Sequence, residues 1–332
     1  MAIRVGILGC GRMSRHHAKR ILEHPDAELA ALCDVDTGLI ERWVEENLQE
    51  SLAGAPAPPA YDDAAAMYRE AALDAVLIST PHTAHFEHGK QAIAAGCHVF
   101  MEKPMVTDTG QARELERLVA ASGRILVVGY NTPSTPSFRY LRELVRAGTL
   151  GKLELVDGFL SQNWRINTTG TWRQDPALSG GGQAYDSGSH LLNSVVWTVE
   201  SSPERVFAFM DNQGTPVDIN SVFVVRFANG VMASITVSGN CASDGAGLVF
   251  IFENGRVEID GWTGSWIRVY GADGEIEPDL PGGAAAPIVS FIDAVLGRAE
   301  PASSPRNGVV YSELMDAVYA SAASGAPASP PG

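Results

Sequence analysis

The chain is poor in three things, and each scarcity removes a class of protein. Cysteines are few: Cys10, Cys33, Cys97 and Cys241, with no two in a CxxC pair. Neither a structural zinc site nor a disulfide framework is signalled, and reduced cytosolic thiols are the simple reading. Long apolar runs are missing, and a strand-like stretch begins at Ile3 with no leader pattern before it. No membrane span is expected, and a cytoplasmic location is. Basic residues are outnumbered, 24 Lys and Arg against 39 Asp and Glu, for a net charge of −15. Such a balance disfavours nucleic acid and anionic membranes as partners. What is present is ordinary: 332 residues, 45% apolar and 19% charged. A chain of that size buries a large core and is expected to form two domains.

The first half alternates short apolar runs with helical periodicity, the pattern of a doubly wound parallel sheet. The run over 3–8 breaks into Gly9-Cys10-Gly11-Arg12-Met13-Ser14, and a helix follows over 15–23. This is a dinucleotide fingerprint with Ser14 where glycine or alanine is usual. Its first glycine allows a tight turn, its second lets a pyrophosphate approach, and its third position must be small. A second strand over 27–33 ends at Asp34, 20 residues beyond Ser14, where an acid grips the adenosine ribose. Asp36 adds a second negative charge, so NAD is favoured over NADP, with Arg12 and Arg42 the residues opposing that preference. The plainer role for Asp34 is a helix cap. Proline-rich loop follows over 53–59, a short helix over 61–70 and a strand over 73–79.

That strand runs into Thr80-Pro81-His82-Thr83-Ala84-His85-Phe86-Glu87-His88. His85 and His88 share a helical face, but no carboxylate or cysteine completes a metal set, so packing or cofactor contact is expected and no metal. A further strand over 97–101 ends in Glu102-Lys103-Pro104. Proline favours an extended residue before it, which puts Lys103 at a strand end, where open parallel sheets bind ligands. Alone, such a lysine reads as a surface residue. After a helix over 108–122 and a sixth strand over 125–129, composition and periodicity change, and the domain boundary is placed there.

The second half opens with a helix over 133–147 and a strand over 153–160. The segment around Trp164, Arg165 and Trp172 offers aromatic faces for sugar C–H surfaces and polar groups for hydroxyls. It reads equally as a loop packed by its own tryptophans. Gly180-Gly181-Gly182 precedes a helix expected over 184–199, on which Asp186 and His190 share a face at i, i+4. From residue 205 alternating runs predict strands over 206–210, 221–227, 231–238, 248–253, 256–259 and 266–270. Asn229-Gly230 and Asn254-Gly255 are hairpin dipeptides between them. A flexible loop over 282–286 and helices over 288–296 and 308–324 close the chain.

Gly9-Cys10-Gly11-Arg12-Met13, the run Ser79 through His85, Glu102-Lys103-Pro104, Val128-Gly129-Tyr130-Asn131, Ser179-Gly180-Gly181-Gly182 and Asp186-Ser187-Gly188-Ser189-His190 stand in chain order. Together they closely resemble the glucose-fructose oxidoreductase / inositol dehydrogenase / MocA family of NAD(P)-dependent oxidoreductases, over nearly the whole chain. The resemblance implies an α/β plus α+β protein. Residues 1–129 would be a Rossmann domain with a doubly wound parallel sheet. Residues 130–325 would form a mostly antiparallel open sheet with helices, for substrate and oligomerisation, followed by a disordered tail over 326–332.

The resemblance also implies roles. Lys103, Asp186 and His190 would be catalytic, with His190 the base, Asp186 orienting it, and Lys103 stabilising developing alkoxide. Which of Lys103 and His190 takes the proton first stays open. Gly9, Gly11, Arg12, Met13 and Asp34 would hold the dinucleotide, joined by Thr80, Pro81, His85, Glu102 and Lys103. Tyr130, Asn131, Trp164, Arg165, Trp172 and Asn193 would touch a sugar, cyclitol or sugar-acid substrate. Asn193 stands where the family often has an acid. The expected reaction is reversible hydride transfer between a secondary alcohol and nicotinamide. The alternatives are keto-sugar reduction, a non-catalytic NAD sensor, or NAD-dependent glycoside hydrolysis. A homodimer or homotetramer through the outer face of the second sheet is expected.

Overall fold

A strand covered on both faces has no wet side, so its residues form an unbroken apolar run. The clearest case is Ala75–Ile78, in which all four residues are buried. The computed structural model describes residues 2–52, 54, 56–282 and 285–332, so the loops expected over 53–59 and 282–286 lie partly outside it. The chain divides into two compact units, residues 1–106 with 110–129 and 285–305, and residues 107–109 with 130–284 and 306–332.

In the first unit, β1 (Ile3–Leu8), β2 (Ala27–Cys33), β3 (Ala60–Tyr61), β4 (Ala75–Ile78), β5 (His98–Met101) and β6 (Leu126–Val128) form one sheet among the described residues. Its order is β3-β2-β1-β4-β5-β6, every pairing parallel. The order reverses beside β1, which marks the ligand crevice of a doubly wound sheet. Helices α1 (Ser14–Glu23), α2 (Thr37–Asn47), α3 (Ala64–Glu70), α4 (His85–Ala94) and α5 (Thr109–Ser122) cross between strands. One further helix, Pro287–Val295, returns to this unit, where Ile288, Phe291 and Ile292 join the core around Ile7, Leu32 and Phe100. The sequence reading had assigned it to the second domain. Its apolar face is completed by core residues that lie roughly 190 to 280 positions earlier in the chain, a contact invisible to local pattern.

In the second unit α6 (Pro136–Ala147), α7 (Gly188–Val199) and α8 (Pro305–Ser324) accompany an eight-stranded sheet among the described residues. Its strands are β7 (Leu153–Ser161), β8 (Pro203–Asp211), β9 (Asn220–Phe227), β10 (Met232–Ser238), β11 (Gly245–Phe252), β12 (Gly255–Asp260), β13 (Ile267–Gly271) and β14 (Gly274–Ile276). The order is β14-β13-β12-β11-β7-β10-β9-β8, antiparallel except for the parallel β7–β10 pair. Period-2 alternation buries Phe223, Val225 and Phe227 of β9 and turns Val222 and Val224 outward.

Three differences from the sequence reading have local causes. The short polar strand β14 has no buried residue, so periodicity gave no sign of it. The tail expected to lack order pairs with β8 through two 2.8 Å hydrogen bonds between Ala328 and Val206. The helix expected over 184–199 starts only at Gly188, so Gly188 opens the helix, where glycine costs less than it would in the interior. Among the described residues no helix is long and apolar enough to cross a membrane.

Candidate active site

The glycine loop after β1 is shaped by contact. Gly9 has φ +95°, and a Cβ there would lie 2.8 Å from the Ser79 carbonyl carbon. Only glycine fits that approach between two strand ends. A Cβ at Gly11 would meet nothing within 4 Å, so the loop is open on the side from which a phosphate approaches. Ser14 opens α1 and donates its hydroxyl to the Gly11 carbonyl at 2.7 Å, satisfying a loop oxygen without added bulk. Arg12 and Met13 are exposed at the loop.

Asp34 binds this loop from the end of β2. Its Oδ2 accepts the Cys10 N–H at 2.8 Å and its Oδ1 accepts the Asp36 N–H at 3.1 Å. A carboxylate has about four lone-pair sites, so two bonds leave capacity for ribose hydroxyls. Asp36 caps α2 through Leu39 N–H and faces Arg42 at 3.6 Å. These residues fit a dinucleotide: a close-approach glycine, an open loop face, a helix N-terminus and an acid at the second strand end.

Two strand ends away, Thr80, Pro81, His85, Glu102 and Lys103 gather, with Lys103 half-buried. His85 is fully buried, its Nδ1 2.8 Å from the Pro104 carbonyl and its Nε2 2.9 Å from the Thr80 carbonyl. Burial is the main influence on this ring and lowers its pKa; the carbonyls pull the other way. His85 thus braces the two loops instead of facing outward as a cofactor contact would. His88 Nδ1 lies 3.0 Å from Thr80 Oγ1. Among the described residues no group of three metal-ligating side chains occurs.

Glu102 was expected to meet the cofactor, and its carboxylate is turned inward. It is 7% exposed, its Oε1 lies 2.6 Å from His17 Nε2, and its Oε2 accepts the Lys103 backbone N–H at 3.2 Å. Burial pushes its pKa up, but the His17 hydrogen bond and charge, with Lys103, outweigh that and hold the carboxyl at about 2. His17 was not singled out from sequence. Its signal is spacing, since it sits three residues into α1, on the turn that faces the sheet.

In the second unit Asp186 is buried in the turn before α7, its N–H bonded to the Gly182 carbonyl at 2.9 Å. Its Oδ2 accepts from Trp164 Nε1 at 2.8 Å and Arg173 Nε at 3.0 Å. Trp164, expected at a substrate, is instead 4% exposed with its polar edge on this carboxylate. Trp172 is half-buried with the Arg173 guanidinium 4.6 Å from its ring centre, and Arg165 reaches Asn240 Oδ1 at 3.1 Å. The turn itself hangs on Asp218. Its Oδ1 accepts Gly182 N–H at 2.7 Å and Tyr319 O–H at 2.5 Å, and its Oδ2 accepts Ala184 N–H at 2.9 Å. A Cβ at Gly182 would come within 1.9 Å of the Asp218 carbonyl, so glycine is obligatory there.

His190, on the first turn of α7, is half-buried, with the Trp262 ring at 4.7 Å and the edge of Tyr130 at 6.3 Å. Tyr130 is 1% exposed, whereas Asn131 is exposed. Asn193 is wholly buried: its Nδ2 donates to Thr132 Oγ1 at 3.3 Å and its Oδ1 accepts from Asn307. This polar pairing explains an amide where an acid would be left with an unpaired buried charge. Arg173, Asp218 and Trp262 were missed from sequence because each acts through a fold contact, with no motif of its own.

Comparison with known proteins agrees with this geometry. Residues 3–130 match the oxidoreductase family with NAD-binding Rossmann fold, and residues 138–277 match the GFO/IDH/MocA C-terminal domain. The D-glucoside 3-dehydrogenase of Escherichia coli is 28% identical over 59% of this chain and 54% of its own. The scyllo-inositol 2-dehydrogenase (NADP(+)) of Bacillus subtilis is 28% identical over 61% of this chain and 54% of its own. The chain thus spans about half the length of these curated relatives. The WlbA dehydrogenase of Bordetella pertussis, solved with NADH and UDP-GlcNAcA, superposes with a TM-score of 0.83 at 24% identity. That likeness covers 99% of this chain and 98% of the other, and shows a shared fold. With both halves matched in order, the chain belongs to the GFO/IDH/MocA family of NAD(P)-binding oxidoreductases.

Proposed function

We propose that the protein oxidises, reversibly, a ring secondary alcohol of a sugar, cyclitol or sugar acid with NAD⁺. The observation that carries this reading is the lysine at the end of β5, half-buried and set beside the buried, ionised Glu102 in a dinucleotide-binding sheet. A cation held there suits an alkoxide formed as hydride departs. NAD⁺, when bound, supplies the hydride acceptor at C4 of its nicotinamide. His190 takes the hydroxyl proton, and Lys103 steadies the oxygen as charge grows on it. Asp186, paired with Arg173, sets a negative charge at the turn leading into α7 and favours the imidazolium. Similarity to a D-glucoside 3-dehydrogenase and a scyllo-inositol 2-dehydrogenase favours a ring carbinol. Asp34 and Asp36 favour NAD over NADP, and Arg42 is already paired with Asp36.

An oligomer through the second sheet is part of the same reading. Phe159, Phe209, Val222, Val224 and Met232 are between 43% and 65% exposed on one face of the adjoining strands β7, β10, β9 and β8. Exposed aromatic and branched residues repeated on one sheet face mark an interaction surface. The cysteines are all free thiols, which suits a reducing cytoplasm.

The test is absorbance of reduced nicotinamide with NAD⁺ and a panel of cyclitols, aldoses and uronic acids. Turnover on one polyol that is lost in Lys103→Ala and His190→Ala, measured at NAD⁺ concentrations that still saturate each variant, supports the reading. Tight NAD⁺ binding without turnover in either direction would replace it with a sensor.

A further inference from the structure

We propose that His17 is a positioning residue that ties the dinucleotide loop to Lys103 through Glu102. The proposal rests on the reading of Lys103 as a group that meets the cofactor and substrate. A chain of short contacts runs through the first unit. Ser14 holds the Gly11 carbonyl at 2.7 Å, and one turn further along α1 His17 Nε2 meets Glu102 Oε1 at 2.6 Å. Glu102 Oε2 then takes the backbone N–H of Lys103 at 3.2 Å. The helix that would receive the pyrophosphate and the strand end that carries the lysine are thus joined by one ion pair.

The pair is placed where it cannot drift. The two side chains are 7% and 9% exposed, and the imidazole lies 4.9 Å from the Phe100 ring, which itself packs on Phe291 at 5.8 Å. A carboxylate only accepts hydrogen bonds, so Nε2 must carry the proton. Stability alone does not account for the arrangement. A buried ion pair is often no better than well-packed apolar residues of equal volume, since both charges lose their water. The neighbouring core is apolar, with Ile7, Ala18, Ile21 and Phe100 in one cluster, and would accept such residues. What an apolar pair would lose is the acceptor that holds Lys103's backbone and the directionality of a charged hydrogen bond.

The experiment is a double-mutant cycle on NAD⁺ dissociation constants, read by quenching of intrinsic fluorescence, with kcat and KM measured alongside. His17→Leu keeps the bulk and removes the donor; His17→Gln places an amide N–H near the position of Nε2. We expect His17→Leu and Lys103→Ala each to weaken NAD⁺ by about tenfold, the equivalent of ~1.4 kcal/mol. The double variant should bind no worse than Lys103→Ala alone, and His17→Gln should stay within about threefold of wild type. The kcat of His17→Leu should fall more than its KM for the alcohol rises. If His17→Leu does not fold, Glu102→Gln replaces it in the cycle with the same expectation. Multiplying effects in the double variant, or a His17→Gln no better than His17→Leu, would overturn the proposal while leaving the cofactor reading intact. Failure of the wild type to bind NAD⁺ or NADP⁺ would overturn both.

Discussion

Arg173 and Asp186 form an ion pair, Nε to Oδ2 at 3.0 Å, in which the arginine side chain keeps 30% of its exposure and the aspartate only 5%. The carboxylate is thus the member that depends on its partners, and Trp164 Nε1 is another of them at 2.8 Å. Trp164→Phe should destabilise the protein by about 1–3 kcal/mol, the usual cost of leaving a buried charged acceptor short of a donor. Arg173→Met should cost a similar amount. Arg173→Lys should restore little, because a lysine has no Nε–H in that plane. Urea unfolding midpoints of the three variants check this.

Acid stability follows from Glu102. Its carboxyl falls from an ordinary 4.5 to about 2 in the folded protein. A depressed carboxyl contributes stability that is fully present above pH 4.5 and is lost as pH falls toward 2. In His17→Leu the balance reverses, because burial then acts unopposed and raises the carboxyl. The variant should lose about 3–5 kcal/mol at pH 7, the scale for breaking a buried pair, and clearly less at pH 4. Denaturant titrations at both pH values decide it; an equal loss at both would refute the assignment.

Cofactor choice should be electrostatic. A 2′-phosphate near Asp34 and Asp36 meets two carboxylates, so NADP⁺ should bind at least about tenfold more weakly than NAD⁺. The gap should narrow in Asp36→Ser, which also releases Arg42 from its 3.6 Å contact. Asp34→Ser removes the acceptor of the Cys10 N–H and should weaken both dinucleotides. Dissociation constants at one fixed ionic strength measure all three effects.

Assembly should respond to charge on the outer sheet face. Phe209 on β8 is 65% exposed and Val224 on β9 is 52% exposed. Phe209→Lys with Val224→Glu should lower the molar mass seen by light scattering and leave the circular dichroism unchanged. An unchanged mass would remove this face from the oligomer.

The legible part of the fold was whatever repeats locally. Unbroken runs such as Ala75–Ile78 gave the parallel strands, alternation gave β9 and β10, and hairpin dipeptides gave their turns. The glycine loop and the lysine were legible because backbone geometry dictates their residue types. The inward turn of Glu102 was not legible because nothing in Glu-Lys-Pro says which way the acid turns; that is set by His17, 85 residues earlier. The partners of Asn193 were hidden for the same reason, its amide bonding to Thr132 and Asn307. Asp218 and Trp262 carry no pattern, and their importance exists only once β8–β9 and β12–β13 have brought them to the turn and the imidazole.

The helix Pro287–Val295 has a consequence for synthesis on the ribosome. Domains generally fold as they emerge, the amino-terminal one first. Here the first sheet is complete by Val128, yet Ile288, Phe291 and Ile292, which share a core with Ile7 and Phe100, are translated about 160 residues later. At about 5–20 residues per second, the nascent sheet waits many seconds with one flank uncovered. The nucleotide domain is the first to be made and among the last to be finished, and a fragment ending at residue 129 would present that uncovered flank permanently.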